Sequence, residues 1–240
     1  MSHRRDQKEA LRRERELREQ QARAAEQRKK MVGYGIAAAI AIAAVVVAIV
    51  LLTGGADKAG SGPGDAGNVF PDGGSFPKQT VFDLAPAAKA AGCELRSKKG
   101  SGVATHTTDL SDRVKYNTNP PTTGRHYEIP ADDGIYGKAP QDEQLVHNME
   151  HGRVIIWVKP SLPEEQRAAL TALVKDDPYQ MVLVPRRNMP YAVAATAWNA
   201  DPPPGGTGRL LLCNEVNDKT FDALAAFRDE HRSQGPEPIP

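Results

Sequence analysis

From Met31 to Thr53 the chain reads MVGYGIAAAIAIAAVVVAIVLLT, without a single charged side chain. A helix of that length, at ~1.5 Å per residue, covers a hydrocarbon core of ~30 Å, so the pattern predicts one transmembrane helix over 31–53. The main rival is a cleaved signal peptide, whose apolar stretch is roughly 7 to 15 residues and ends in a small-residue cleavage site. This run is longer, and the LLTGGADKAG that closes it offers no clean A-x-A. Residues 1–30 are rich in helix formers with glutamates set among arginines, which predicts a solvated helix with i,i+4 pairing. After the apolar run, GGADKAGSGPGDAGNVFPDGGSFP has little to bury, predicting a flexible linker over 54–78 and an outer domain over 79–240.

Within that outer domain the second half has the clearer periodicity. RVIIWV is a run of β-branched and aromatic residues, predicting a strand. SLPEEQRAALTALVKDD follows, with Ser161 as a candidate N-cap, glutamates in the first turn and Leu170, Leu173 and Val174 on one face. QMVLVP, YAVAATAW and GRLLLC read as strands. NDKTFDALAAFRDEHRSQG reads as a second helix, capped by Asn217 or Asp218. The first half offers a short helix at Pro86–Ala91, then a turn-rich stretch from Lys98 to Gln144 holding His106, Tyr116, His126, Tyr127 and Tyr136. A loop that long in a compact domain tends to be functional or disordered, and its tyrosines give it something to pack. The expected class is α+β, with a mostly antiparallel sheet and two packed helices in a single outer domain, preceded by one transmembrane helix.

Charge adds an orientation. The formal net charge is only +1, yet lysines and arginines crowd the stretch from Arg4 to Lys30. Such residues beside a membrane span stay on the cytoplasmic side, so the N-terminus is expected inside and the C-terminal domain outside the plasma membrane. The basic segment then lies against anionic lipid headgroups, a partner it suits better than nucleic acid because no aromatics interleave to stack on bases. Cys93 and Cys213 both fall in the outer domain, where an oxidising compartment favours a disulfide. Thiolate metal ligation would want closer C-x-x-C spacing.

NPPTTGRHY, GIYGKAP and LVHNMEHGRVIIWVKP together resemble domain-of-unknown-function family 3105 over roughly residues 90–232. That resemblance implies a membrane-anchored bacterial envelope protein with an outer domain, and it implies no established activity. Thr123 and Arg125 depart from the family's more usual serine and proline, and Arg125 sets a cation beside His126.

The chemistry lies in the histidines: of six, four fall between His106 and His151. His147, Glu150 and His151 form H-x-x-E-H, the inverted zinc-protease pattern, in which both imidazoles bind zinc and the glutamate activates water. That pattern needs a helix, since i and i+4 share a face there but lie ~13 Å apart along a strand. Gly152 and the strand after it leave room for barely one turn, so a zinc-dependent hydrolase ranks last. A looser site is open, in which His147, His151, His126 and His106, with Met149 as a further donor, hold zinc or copper. So is a reading with no cofactor, in which imidazoles hydrogen-bond backbone carbonyls, Asn148 and Glu150 cap amides, and Tyr116, Tyr127, Tyr136 and Trp157 form a core or a face for an envelope partner. Phosphate loops and serine nucleophile elbows are absent.

Overall fold

The computed structural model describes residues 69–100 and 105–237. The span expected at 31–53 and the basic segment lie outside them, and no helix among the described residues is long and apolar enough to cross a membrane. In chain order the elements are α1 (Leu84–Ala91), β1 (Glu94–Lys99), β2 (His106–Thr107), β3 (His126–Tyr127), β4 (Gly134–Ile135), α2 (Asp142–Glu150), β5 (Val154–Val158), α3 (Glu164–Asp176), β6 (Met181–Pro185), β7 (Val193–Asn199), β8 (Thr207–Cys213) and α4 (Asp218–His231).

Six strands form one sheet in the order β1-β8-β7-β5-β6-β4, and β2 pairs with β3 separately. The class is α+β, but two expectations are corrected. The sheet is mixed: β1–β8, β8–β7 and β7–β5 are antiparallel, whereas β5–β6 and β6–β4 are parallel. The cause is α3, because a helix connecting two neighbouring strands returns the chain to the end where it began. Four helices rather than two are present among the described residues.

The central strands are buried on both faces, which is why they read as continuous apolar runs instead of alternating. Val154, Ile156, Val158, Leu183, Ala195 and Leu211 join one core with Leu84 of α1, Leu170 of α3 and Phe227 of α4. Ile155, Trp157, Val182, Ala194 and Leu212 face the opposite way, onto Leu145, Val146 and Met149 of α2 and onto Tyr136. Trp157, wholly buried, donates its indole N–H to Thr196 Oγ1 at 2.7 Å, so Trp157 and Tyr136 belong to the core.

Local signals account for the helix ends. Asn217 caps α4, accepting from the Lys219 and Thr220 amides, and Thr220 returns a bond to the Asn217 amide. Ser161 does not cap α3; Pro163 occupies the N-cap, with Glu164 and Glu165 in the first turn where they favour the positive helix end. Packing starts inside the stretch expected to be linker: Phe70 is 2% exposed in the first core, and Arg167 donates to the Val69 carbonyl. Cys93 and Cys213 form a disulfide that ties the start of β1 to the end of β8. Along β1 itself all six side chains are exposed.

Candidate metal centre

Two pieces of backbone converge to build the site. In the long loop, β2 and β3 run parallel with His106 opposite His126 and Thr107 opposite Tyr127. That register sets two imidazoles side by side, their ring centroids 4.5 Å apart. Beside them lies α2, nine residues long, which corrects the expectation of barely one turn before β5. Asp142 and Glu143 fill its first turn, and Gly152, at φ +82°, lets the chain leave its far end in the left-handed conformation. With Leu145, Val146 and Met149 on the sheet, His147 and Glu150 share the face one turn apart that meets β3.

One ligand atom from each of His106, His126, His147 and Glu150 lies within 4.8 Å of the other three. The rings of His106, His126 and His147 form a triangle with centroid separations of 4.5, 5.0 and 4.9 Å. Three imidazoles bound through nitrogen to one ion at ~2.1 Å place their centroids ~3.2 Å from it, and hence roughly 4.5 to 5.2 Å from one another. His126, His147 and Glu150 are buried, and His106 is the exposed member.

The protons of this cluster follow from its outer bonds. A main-chain carbonyl only accepts, so the ring nitrogen facing one must carry hydrogen. His126 Nδ1 donates to the Gly124 carbonyl at 2.8 Å, His147 Nδ1 to that of Tyr127 at 2.6 Å, and His151 Nδ1 to that of Glu237 at 2.8 Å. In the neutral imidazoles each Nε2 is then a lone pair. Yet His147 Nε2 lies 2.7 Å from His151 Nε2, and His126 Nε2 lies 3.0 Å from Glu150 Oε2. Acceptors at such distances repel unless a cation stands among them, either added protons or a metal ion. Added protons are disfavoured at His147, whose burial, with the neighbouring His126 and His151, pushes its pKa down to about 4 despite the Tyr127 carbonyl. Burial raises the Glu150 carboxyl, but a proton on His126 Nε2 would bond to the carboxylate and any charge on His126, His106 or His147 would favour its ionised form, and the group is held below the usual carboxylate range.

The surroundings hold these groups still. Asn148 accepts from the Ala131 amide at 3.0 Å and donates to its carbonyl at 2.7 Å, clamping the loop to α2. Glu143 accepts from the Val114 amide at 2.7 Å, fixing the loop's earlier turn. Arg125 is turned to Asp112, 2.7 Å away, so the cation next to His126 in sequence has an acidic partner of its own.

Of the four histidines singled out in the sequence, the fold brings His106, His126 and His147 together. His151 falls outside the four-donor group and touches it through His147. Glu150 is the donor that the sequence reading assigned to water activation or amide capping; its Oε2 instead points among the imidazoles, 3.4 Å from His106 Nε2. That geometry departs from the inverted zinc-protease pattern. Met149 is fully buried in the apolar core with Leu145 and Val146 and is not part of the donor group. The Glu237 carbonyl carried no signal in the sequence, because any residue type supplies one.

Three imidazoles and a carboxylate so placed could hold a metal ion. No curated protein and no solved structure matches the chain. A family model described as "Protein of unknown function (DUF3105)" matches residues 107–239, which include His126, His147, Glu150, His151 and Glu237. On that match, which spans more than half of its length, the chain belongs to the DUF3105 family.

Proposed function

We propose that this chain is a single-pass bacterial envelope protein whose outer domain binds one zinc or copper ion through His106, His126, His147 and Glu150. The observation that carries the reading is the convergence of a ring nitrogen from each of three imidazoles and a buried carboxylate, with two of those imidazoles donating Nδ1–H to main-chain carbonyls. Outer bonds of that kind fix the tautomer and orientation a ligating imidazole needs. With no thiolate to oxidise, this donor set suits an oxidising compartment, as does the disulfide. The uncharged apolar run over 31–53 and the basic segment before it support an orientation with the N-terminus in the cytoplasm, against anionic lipid, and the domain outside facing an envelope partner.

Calorimetric titration of the metal-free chain with zinc and with copper at neutral pH tests the metal. One ion per chain should bind in a saturable way, and its affinity should fall in acid as protons compete for the imidazole nitrogens. His147→Ala should abolish binding, and His231→Ala should preserve it. The absence of saturable binding by either ion would sink the reading in favour of a structural hydrogen-bond network. For topology, a reporter active only in the cytoplasm should be silent when fused after Pro240.

A further inference from the structure

The last described residues of the chain do little for either core. Their polar atoms are spent on one corner of the molecule. The Ser233 amide donates to the Gly152 carbonyl at 2.8 Å, and the Glu237 amide to the Glu150 carbonyl at 3.0 Å. The Glu237 carbonyl accepts from His151 Nδ1 at 2.8 Å. Two further bonds hold the segment from outside: the Gln234 carbonyl accepts from the Ala200 amide at 2.7 Å, and the Ser233 hydroxyl meets Gln180 Oε1 at 2.7 Å.

The approach is close enough to exclude side chains. A Cβ on Gly235 would fall 2.2 Å from the Glu150 carbonyl oxygen and 2.3 Å from the Gly152 nitrogen. Ser233 is held at φ +62°, a left-handed conformation that disfavours a non-glycine residue and persists only where its surroundings enforce it.

We infer that residues 233–237 are a positioning strap for the metal centre, fixing Glu150 through its main chain and His151 through its ring. This rests on the metal-binding reading. Glu150 is a ligand, and His151 Nε2 lies against His147, another ligand. A strap that holds all three in register lowers the cost of organising them when the ion arrives. By linkage the ion must tighten the strap by the same factor that the strap tightens the ion. Losing an outer partner of a metal site typically weakens metal affinity by about 10 to 100-fold.

The test uses the full chain and zinc alone. A chain ending at Gln234 loses the Glu237 bonds but keeps those of Ser233 and Gln234; its zinc affinity should fall tenfold or more. Gly235→Ala, which forces the strap off Glu150 without shortening the chain, should give a similar loss. In the unaltered chain, zinc should slow hydrogen exchange at the Ser233 and Glu237 amides by a larger factor than at the Cys93 amide, which bonds the Ala88 carbonyl far from the site in sequence. If the unaltered chain binds zinc and the truncated chain binds within twofold of it, the strap is wrong and the metal centre stands. Equal protection of all three amides overturns the strap as well, and decides the matter should both variants fail to fold. If the unaltered chain binds no zinc, the strap is overturned, while the metal centre falls only if copper fails to bind as well.

Discussion

The two faces of the six-stranded sheet are closed by different chemistry. On one, α1, α3 and α4 cover the strands with aliphatic and aromatic side chains, and the disulfide locks the margin. On the other, α2 contributes an apolar edge to the sheet, but its outer side meets the long loop through imidazoles, carboxylates and a carboxamide. Hydrocarbon packing is non-directional and tolerates adjustment, whereas the polar side is stable only if every donor and acceptor finds its counterpart. The first face is therefore a frame that sets global stability, and the second a device whose geometry the frame preserves.

That division breaks or sharpens under substitution. Among substitutions, the largest effect on stability should come from Cys93→Ser with Cys213→Ser. The disulfide closes a sequence separation of 120, worth roughly 4 to 5 kcal/mol by loop-closure entropy. Thermal unfolding should shift down accordingly while zinc still binds one to one; loss of zinc binding in a folded variant would show that the two faces are not separable.

Acid comes next, and it acts on both faces. His147 on the device and His231 on the frame are each pushed down to about 4, His147 chiefly by burial and His231 by burial and the charge of Arg209. The unfolded chain has its histidines near 6.5, so it takes up more protons than the folded one as pH falls. Stability is whole at neutral pH and should drain between about pH 6.5 and about pH 4, by at most roughly 3 kcal/mol for each group. Denaturant melts of the metal-free chain across that range check it, and His231→Phe should flatten the slope by removing one of the two contributions.

Asn148→Ala tests the device alone. It strips both partners from the Ala131 main chain, costing about 1 to 3 kcal/mol, and should weaken zinc binding as the loop loosens. A stability loss with unchanged zinc affinity would mean that the loop is held by other contacts. The smallest effect belongs to the frame: Asn217→Ala removes the cap of α4 at about 1 kcal/mol, seen in the melting temperature and not in zinc affinity.

The frame was largely legible in the sequence, because its signals are local. Leu170, Leu173 and Val174 repeat at helical spacing, VIIWV is an uninterrupted β run, and Asn217 caps where a cap was expected. The parallel pairing of β5 with β6 was also present in principle, in the order strand, helix, strand, but the later run of three strands outweighed it. The device was half legible. Histidine spacing named the imidazoles, yet α2 was hidden because LVHNMEH buries polar groups along with apolar ones, which defeats any reading by amphipathic periodicity. The two-residue ladder of β2 with β3, which decides that His106 meets His126, is too short to leave a periodic trace. Glu150 was seen, but its role depended on a partner more than twenty positions upstream.

The outer edge of the sheet has one more consequence. Strand β1 lies at the end of the strand order, and its side chains, Glu94, Leu95, Arg96, Ser97, Lys98 and Lys99, are all open to solvent. An exposed margin of a sheet is a template on which a second molecule can continue the ladder, and charged side chains along it, lysine above all, are a barrier to that growth. Four of the six residues along this margin, Glu94, Arg96, Lys98 and Lys99, are charged, and three of those are basic. Strand β1 thus carries along its own length a barrier to edge-to-edge growth by a neighbouring chain.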